Sequence, residues 1–343
     1  MTTNPAPPAG PAGIMAIATA FSRARALHAA VELDLFTVLD AGGLTAQELH
    51  ARCGLHPRGA ADFLDLLTVL GLLERDGDRY RNGPAATEYL VRSRPRYLGD
   101  LVRLQSEDLY PRWLHLAEAL RDGRPRSGGP GQDEIFGEEY HSERARWFHD
   151  AMDGASSSVL RELPRLLPWQ DVKHVVDLGG ARGTVAAGLV RAHPHLTATV
   201  FDLPQLEPLF DEHMRRLGTA AGAAFRAGDF FRDPLPACDC VVIGHVLHNW
   251  GAAERVLLLA RAYEALRPGG YLLVYDPMID DGRTTAPQLV LSLNMLMMTP
   301  TGSEYTRSAC REWAVEAGFE DIAMSVVPAS GDTVLTARKP PAV

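Results

Sequence analysis

The ten residues Val175-Val176-Asp177-Leu178-Gly179-Gly180-Ala181-Arg182-Gly183-Thr184 constrain this chain more than any other stretch. Residues 172–176, apolar and β-branched except for Lys173 and His174, read as a strand entering a buried sheet. The glycines then allow a tight turn, and residues 184–192 (TVAAGLVRA) read as the helix that leaves it. Strand, glycine turn and helix bring unshielded backbone N–H groups against a ligand. A dinucleotide fingerprint needs G-x-G-x-x-G, and no register supplies it: Ala181 stands two residues after Gly179, and Arg182 two after Gly180. The frame that fits is D-x-G-x-G-x-G, with Asp177, Gly179 and Gly183 in place and Ala181 at the remaining glycine position. In such folds an acidic residue about 20 positions further on grips ribose hydroxyls. Residues 197–201 give the next strand pattern, and Asp202 ends it.

Beyond this point strand and helix patterns alternate, as in an α/β fold with a largely parallel sheet. Ala227-Gly228-Asp229-Phe230-Phe231 closes a third strand, and residues 240–243 form a fourth that runs out into Gly244-His245-Val246-Leu247-His248-Asn249-Trp250. A helix over residues 252–266 leads to Arg267-Pro268-Gly269-Gly270, and residues 271–275 form a fifth strand ending at Asp276. An apolar helix covers residues 286–298, Glu304 follows Gly302-Ser303, and a helix at 309–317 with two last strands completes the sheet. Ligand groups in such sheets gather at the carboxyl ends of strands. Gly179, Asp202, Asp229, His248 and Asp276 all stand there.

Toward the amino terminus, residues 14–39 carry apolar positions at helical spacing, interrupted at Asp34. That apolar face is wider than a helix near a chain end needs, which points to burial against a second copy of the chain. Thr45 to Glu48 forms a capping box, Cys53-Gly54-Leu55 turns, Pro57 opens a helix through Leu72, and residues 73–81 read as a hairpin around Asp76-Gly77. Helix, turn, helix and hairpin outline a winged helix. Such a module binds DNA or serves as a dimerisation scaffold, and a net charge of −9 argues against nucleic acid. Residues 95–170 are mostly helical apart from a Gly/Pro stretch at 123–131. Within them Phe148, Met152 and Ser156 fall at i, i+4 and i+8 on one helix face, a stripe that serves equally as core or as a pocket wall.

A length of 343 residues fits two domains: a disordered Pro/Ala/Gly-rich lead at 1–13, a winged-helix-like domain at 14–105, and an α/β domain at 106–343 whose part 106–170 is helical. The lead lacks the charged and apolar regions of a signal peptide, and no run of 18 apolar residues spans a membrane, so a cytoplasmic chain is expected. Four scattered cysteines make no disulfide framework, and Cys238 and Cys240 read as core residues. No histidine follows His248, so no metal site is expected.

From about Ile14 to its end the chain resembles the S-adenosylmethionine-dependent small-molecule O-methyltransferases of caffeate and hydroxyindole type. In bacteria these include tailoring enzymes of antibiotic biosynthesis. The motifs that carry the resemblance are VVDLGGARG, Asp202-Leu203-Pro204, Gly228-Asp229-Phe230-Phe231, HVLHNW, LRPGG and TGSEYT, in this order. The resemblance implies a Rossmann-like class I methyltransferase domain behind a mostly helical winged-helix dimerisation domain, hence a homodimer. It implies that S-adenosylmethionine is the cofactor, held by Gly179, Gly180, Asp202, Leu203, Gly228, Asp229, Phe230 and Gly244. By the same match His248 is the general base, Asp276 and Glu304 are the carboxylates beside it, and Phe148, Met152, Asn294, Met295 and Met298 face a small aromatic substrate. Two positions depart from the family pattern. Ala181 replaces a glycine, and Asn249 replaces the aspartate that usually follows the base, removing one negative charge near the imidazole.

The chemistry is coherent on its own terms. A phenol near pKa 10 facing a histidine near 6.5 makes complete proton transfer uphill by about 5 kcal/mol. Carboxylates at Asp276 and Glu304 stabilise the charged ring and shrink that gap. O-methylation of a phenolic hydroxyl is the reading these residues favour. Its competitors are C-methylation on the same scaffold, a member that keeps the cofactor but loses transfer, and a winged-helix DNA-binding regulator.

Overall fold

The computed structural model describes residues 10–126, 143–156, 158–219 and 221–342. The described residues divide into two units: those up to Pro111 together with Asp150–Gly154, and the remainder. The division after Pro111 lies a few residues beyond the boundary read from sequence, and the small piece from the middle of helix Glu143–Ser156 was not foreseen.

In the first unit the expected single helix over residues 14–39 is three: Gly10–Ala18, Ala20–Glu32 and Leu35–Val38. Asp34 breaks the run with a left-handed backbone at φ 54°. The first helix begins at Gly10, inside the lead read as disordered from its composition. Residues 1–9 of that lead lie outside the described residues. The Thr45–Glu48 capping box forms as expected, with Thr45 N donating to Glu48 Oε2 at 2.7 Å and Glu48 N to Thr45 Oγ1 at 3.1 Å. Strands β1 (Leu44–Thr45), β2 (Leu73–Asp76) and β3 (Arg79–Asn82) make an antiparallel sheet in the order β1-β3-β2, the hairpin turning at Gly77 with φ 61°. Leu35, Phe36, Leu49, Leu64, Leu67 and Tyr80 fill the core beneath this wing.

The second unit is built on a seven-stranded sheet: β4 (His174–Leu178), β5 (Thr197–Asp202), β6 (Ala223–Ala227), β7 (Cys238–Gly244), β8 (Leu266–Asp276), β9 (Glu320–Val326) and β10 (Thr333–Arg338), in the order β6-β5-β4-β7-β8-β10-β9. The first five strands are parallel, and β10 runs antiparallel between β8 and β9. From β4 the chain winds outward through β5 and β6, then returns to β7 on the other side. That reversal opens a crevice at the carboxyl ends of β4 and β7. Strand alternation splits the core into two layers. Val175, Val200 and Val242 pack with Val185 and Leu189 on one face, and Val176, Phe201 and Ile243 pack with Leu258 and Leu259 on the other. Burial of each such side chain contributes about 1.5–3 kcal/mol. Strand β8 is longer than its sequence pattern, because Leu266 to Gly270 extend it at the cost of a register shift opposite Cys238 and Cys240. Cys238, Cys240 and Cys310 are buried free thiols of this core. No helix among the described residues is long and apolar enough to cross a membrane.

Candidate active site

The glycine turn after β4 takes its shape from positive backbone angles and close neighbours. Gly179 has φ 73° and Gly183 has φ 80°. A Cβ on Gly179 would meet Val246 at 2.7 Å, and one on Gly180 would meet the Asp177 carboxyl at 2.5 Å. Ala181 also sits in the left-handed region at φ 49°, which explains why a glycine is the usual residue there. Its methyl group costs about 1–2 kcal/mol, offset by a charge-assisted hydrogen bond from Ala181 N to Asp202 Oδ2 at 2.8 Å. Leu203 N donates to the other oxygen, Oδ1, at 2.7 Å. Asp202 thus ends β5 with one oxygen tied to the turn and the other to the residue that follows it. Burial raises its pKa to about 6, against the pull of these two amides. Behind it, burial raises Asp177 to about 7, and Asp177 Oδ2 is buried without a partner.

Beside this turn stand the residues named after β6. Gly228 N donates to Asp202 O at 2.9 Å, and a Cβ on Gly228 would meet the Phe201 ring at 2.4 Å. Asp229 Oδ1 accepts from Phe231 N at 2.8 Å while its own amide donates to Asp233 Oδ2 at 2.8 Å. Phe230 packs edge-on against Phe231 at 4.8 Å and Trp250 at 6.0 Å, and its ring edge lies 3.6 Å from where a Gly179 Cβ would be. At the end of β7, a Cβ on Gly244 would collide with the Tyr275 ring. Gly179, Gly180, Asp202, Leu203, Gly228, Phe230 and Gly244 therefore come from four strand ends to one rim. Val246 and Trp250 complete it; both belong to the HVLHNW motif, but as apolar side chains they carried no role of their own in the sequence.

At the carboxyl ends of β7 and β8 lies a cluster of acids and imidazoles. His248 Nδ1 is 2.9 Å from Glu304 Oε1, a hydrogen bond, and 3.4 Å from Asp276 Oδ1. Loss of solvent works against a charged ring, yet Glu304 and Asp276 outweigh it and lift the His248 pKa to about 9. Asp276 is fully buried and accepts from the Tyr305 hydroxyl at 2.5 Å. Burial holds its pKa up at about 6. Asp276 Oδ1 and Glu304 Oε2 have no hydrogen-bond partner. Ser292, on helix Ala286–Met298, sets the Glu304 backbone through a 3.2 Å bond from Glu304 N to Ser292 Oγ.

A second pair stacks on the first; from sequence His245 reads as a strand-end histidine satisfied by backbone, whereas its ring is held by a carboxylate. His245, at φ 53°, puts Nε2 3.0 Å from Asp332 Oδ1, and its ring lies parallel to that of His248 at 5.9 Å and 12°. Burial again opposes its charged form, but Asp332 raises its pKa. The signal available in the sequence was two histidines at i and i+3. The acid partner, 87 residues from His245, carried none. Asn249, the departure from the family's aspartate, donates through Nδ2 to His245 O at 3.1 Å, a bond that a carboxylate does not make.

Of the proposed substrate-facing residues, Asn294 and Met295 are buried and Met298 is half-buried on helix Ala286–Met298. Asn294 Oδ1 accepts from Trp113 Nε1 at 2.7 Å, a partner not foreseen. Arg126 N donates to Met297 O at 2.9 Å, and Arg112 also donates to the Arg126 carbonyl. Phe148 is half-buried and edge-on to His149. Met152 lies in the segment that groups with the first unit.

Family models match both units: an O-methyltransferase domain over residues 113–320 and an O-methyltransferase dimerisation domain over residues 15–92. The tetracenomycin polyketide synthesis 8-O-methyl transferase TcmO of Streptomyces glaucescens is 49% identical over 96% of this chain and 97% of its own length. The N,N-dimethyltransferase OxyT of Streptomyces rimosus is 42% identical over 99% of this chain and 100% of its own length. Among solved structures, human N-acetylserotonin methyltransferase in complex with SAM shares 29% identity and a TM-score of 0.88, covering 98% of this chain and 100% of that one.

Proposed function

The chain belongs to the O-methyltransferase family that carries an N-terminal dimerisation domain, and from that premise we propose that it methylates a phenolic hydroxyl of an aromatic small molecule with His248 as the base. One observation carries the residue assignment: His248 Nδ1 lies 2.9 Å from Glu304 Oε1 and 3.4 Å from Asp276 Oδ1, both carboxylates buried, beyond the carboxyl ends of β7 and β8.

S-adenosylmethionine is the cofactor, and when bound it supplies an electrophilic methyl group. The residues fit it. Gly179 and Gly244 leave backbone bare where a side chain would strike Val246 or Tyr275. Each Asp202 oxygen has a lone-pair site left after its amide bond, so the carboxylate can accept two ribose hydroxyls. We assign Gly179, Gly180 and Leu203 to the same grip, with Gly228, Asp229 and Phe230 toward the adenine.

His248 does the proton chemistry. With Nδ1–H donating to Glu304, the neutral ring keeps its lone pair on Nε2 for the substrate proton. With His248 near 9, full transfer from a phenol near 10 costs only about 1.4 kcal/mol, against about 5 for an unperturbed ring. Asp276 accepts from Tyr305 and stays fixed beside the imidazole. Met295, Met298 and Phe148 offer apolar walls for a flat ring, thioethers being adaptable to ring edges.

Incubation with methyl-labelled cofactor and a panel of hydroxylated aromatic acids, read by NMR, is expected to place the label as a methoxy group. A label on a ring carbon instead would overturn the acceptor. A second reading, transfer to an amine nitrogen, is favoured by the Streptomyces rimosus relative, so the panel includes an aromatic amine.

For assembly, we propose a homodimer through the first unit. Helix Gly10–Ala18 buries none of its residues, and Ile14, Met15, Ile17 and Phe21 are each more than half exposed. A monomer would leave this contiguous apolar face in water. Light scattering at micromolar concentration should give twice the chain mass, and Ile14→Glu with Ile17→Glu should return one chain mass.

A further inference from the structure

We infer that Arg255 is a positioning residue for the proton-accepting cluster: one guanidinium locks the turn carrying His248 to the loop carrying Glu304. The inference rests on the reading of His248 as the base. Arg255 lies on helix Ala252–Ala265 and is only 4% exposed. Its Nε donates to the carbonyl of Leu247, the residue before His248, at 2.9 Å. Its Nη2 donates to the carbonyl and hydroxyl of Ser303, the residue before Glu304, at 2.6 and 3.0 Å. The two segments also touch directly, Ser303 N donating to His248 O at 2.9 Å. Gly302 allows that approach, since a Cβ there would come within 2.6 Å of the same carbonyl.

The third member of the cluster is reached through a ring. The guanidinium lies 4.8 Å from the Tyr305 ring centroid and 5.4 Å from that of Trp313, and the Tyr305 hydroxyl holds Asp276. His248, Glu304 and Asp276 are thus each one residue or one bond away from a group that Arg255 holds. Burying a cation is costly unless its donors are used. Here a planar fork serves two segments at once while its faces stack on aromatic rings. A lysine ammonium, a single point charge on a flexible stem, cannot span both carbonyls in that way.

The charged and titratable groups facing His248 are Glu304 from its loop, Asp276 from the end of β8, and the His245–Asp332 pair from the end of β7 and the start of β10. Loosening the Glu304 loop weakens the contact that favours the charged ring, so the His248 midpoint moves down. In cofactor-saturated Arg255→Lys enzyme, an NMR titration of the His248 imidazole should show a midpoint lower by about half a unit or more. Above about pH 9, where the ring is neutral in both enzymes, turnover should fall about tenfold while affinity for S-adenosylmethionine holds within about twofold. In a Glu304→Gln background, Arg255→Lys should add no further shift, because its effect runs through Glu304. Ser303→Ala removes one acceptor of the fork and should shift the midpoint the same way by less; it replaces Arg255→Lys should that variant not fold. An unchanged midpoint in the folded variant, or an equal shift persisting without Glu304, overturns the role. A midpoint shift in an enzyme that methylates no phenol would sustain the positioning role and refute the acceptor instead.

Discussion

His248→Ala is expected to lower turnover by about a hundredfold or more while S-adenosylmethionine affinity by calorimetry stays unchanged, since positioned general bases contribute roughly 10²–10⁴-fold. The side chain hydrogen-bonds Glu304 and faces Asp276, while the glycine turn is tied to Asp202. Retention of full activity would remove His248 from the mechanism. The wild-type pH profile gives a second check. The ring acts only when neutral, so kcat/KM should climb about tenfold per pH unit and level off near pH 9. Stability should move the other way. A histidine whose folded pKa lies above its unfolded value stabilises the fold fully below about 6.5, and that contribution is lost as pH rises through about 9. The wild-type melting temperature should therefore fall across that window, and His248→Ala should lack that component. Asp276, whose folded pKa is raised to about 6, likewise costs stability as pH rises, but between its unfolded value near 4 and about 6, so the two windows separate.

The other large effect is expected at Asp202. Asp202→Ala removes the acceptor for Ala181 N and Leu203 N together with the sites assigned to the ribose hydroxyls. Two lost hydrogen bonds to a charged group, at about 1.5 kcal/mol each, weaken the cofactor about a hundredfold. The left-handed Ala181 also loses its anchor, so the turn is less pre-formed. Circular dichroism should show a folded chain, because β5 keeps its backbone pairing to β4 and β6. Asp202→Asn keeps one acceptor oxygen and should fall between the two. An unchanged affinity in Asp202→Ala would overturn the cofactor assignment.

The sequence revealed the parts of the site that depend on short-range pattern. The glycine turn, Asp202 and the strand-end positions of His248 and Asp276 all follow from β-branched runs that stop at residues unable to continue a strand. Longer connections were not visible. Glu304 meets His248 across 56 residues, and only the family resemblance paired them. Asp332, one acid in a turn before the last strand, gave no sign that it would hold His245. Arg255 reads from its surroundings as a charged helix residue, and nothing in AAERVLLL tells that its face is the buried one. Helix Gly10–Ala18 was missed at its start, because proline and glycine composition outweighed the apolar spacing that begins at Ile14.

The placement of β10 has a consequence for synthesis. It lies between β8 and β9 in the sheet yet follows both in the chain, with Thr333 opposite Asp276. Until residues 333–338 have left the ribosome, β8 presents its outer row of N–H and C=O groups unpaired, and β9 has no place in the sheet. Such an edge is a template for another strand, and nascent chains fold while still incomplete. A product truncated before Thr333 would expose that edge beside an unfinished acid cluster. Its expected fate is aggregation or proteolysis, so truncation is a loss of protein before it is a loss of catalysis.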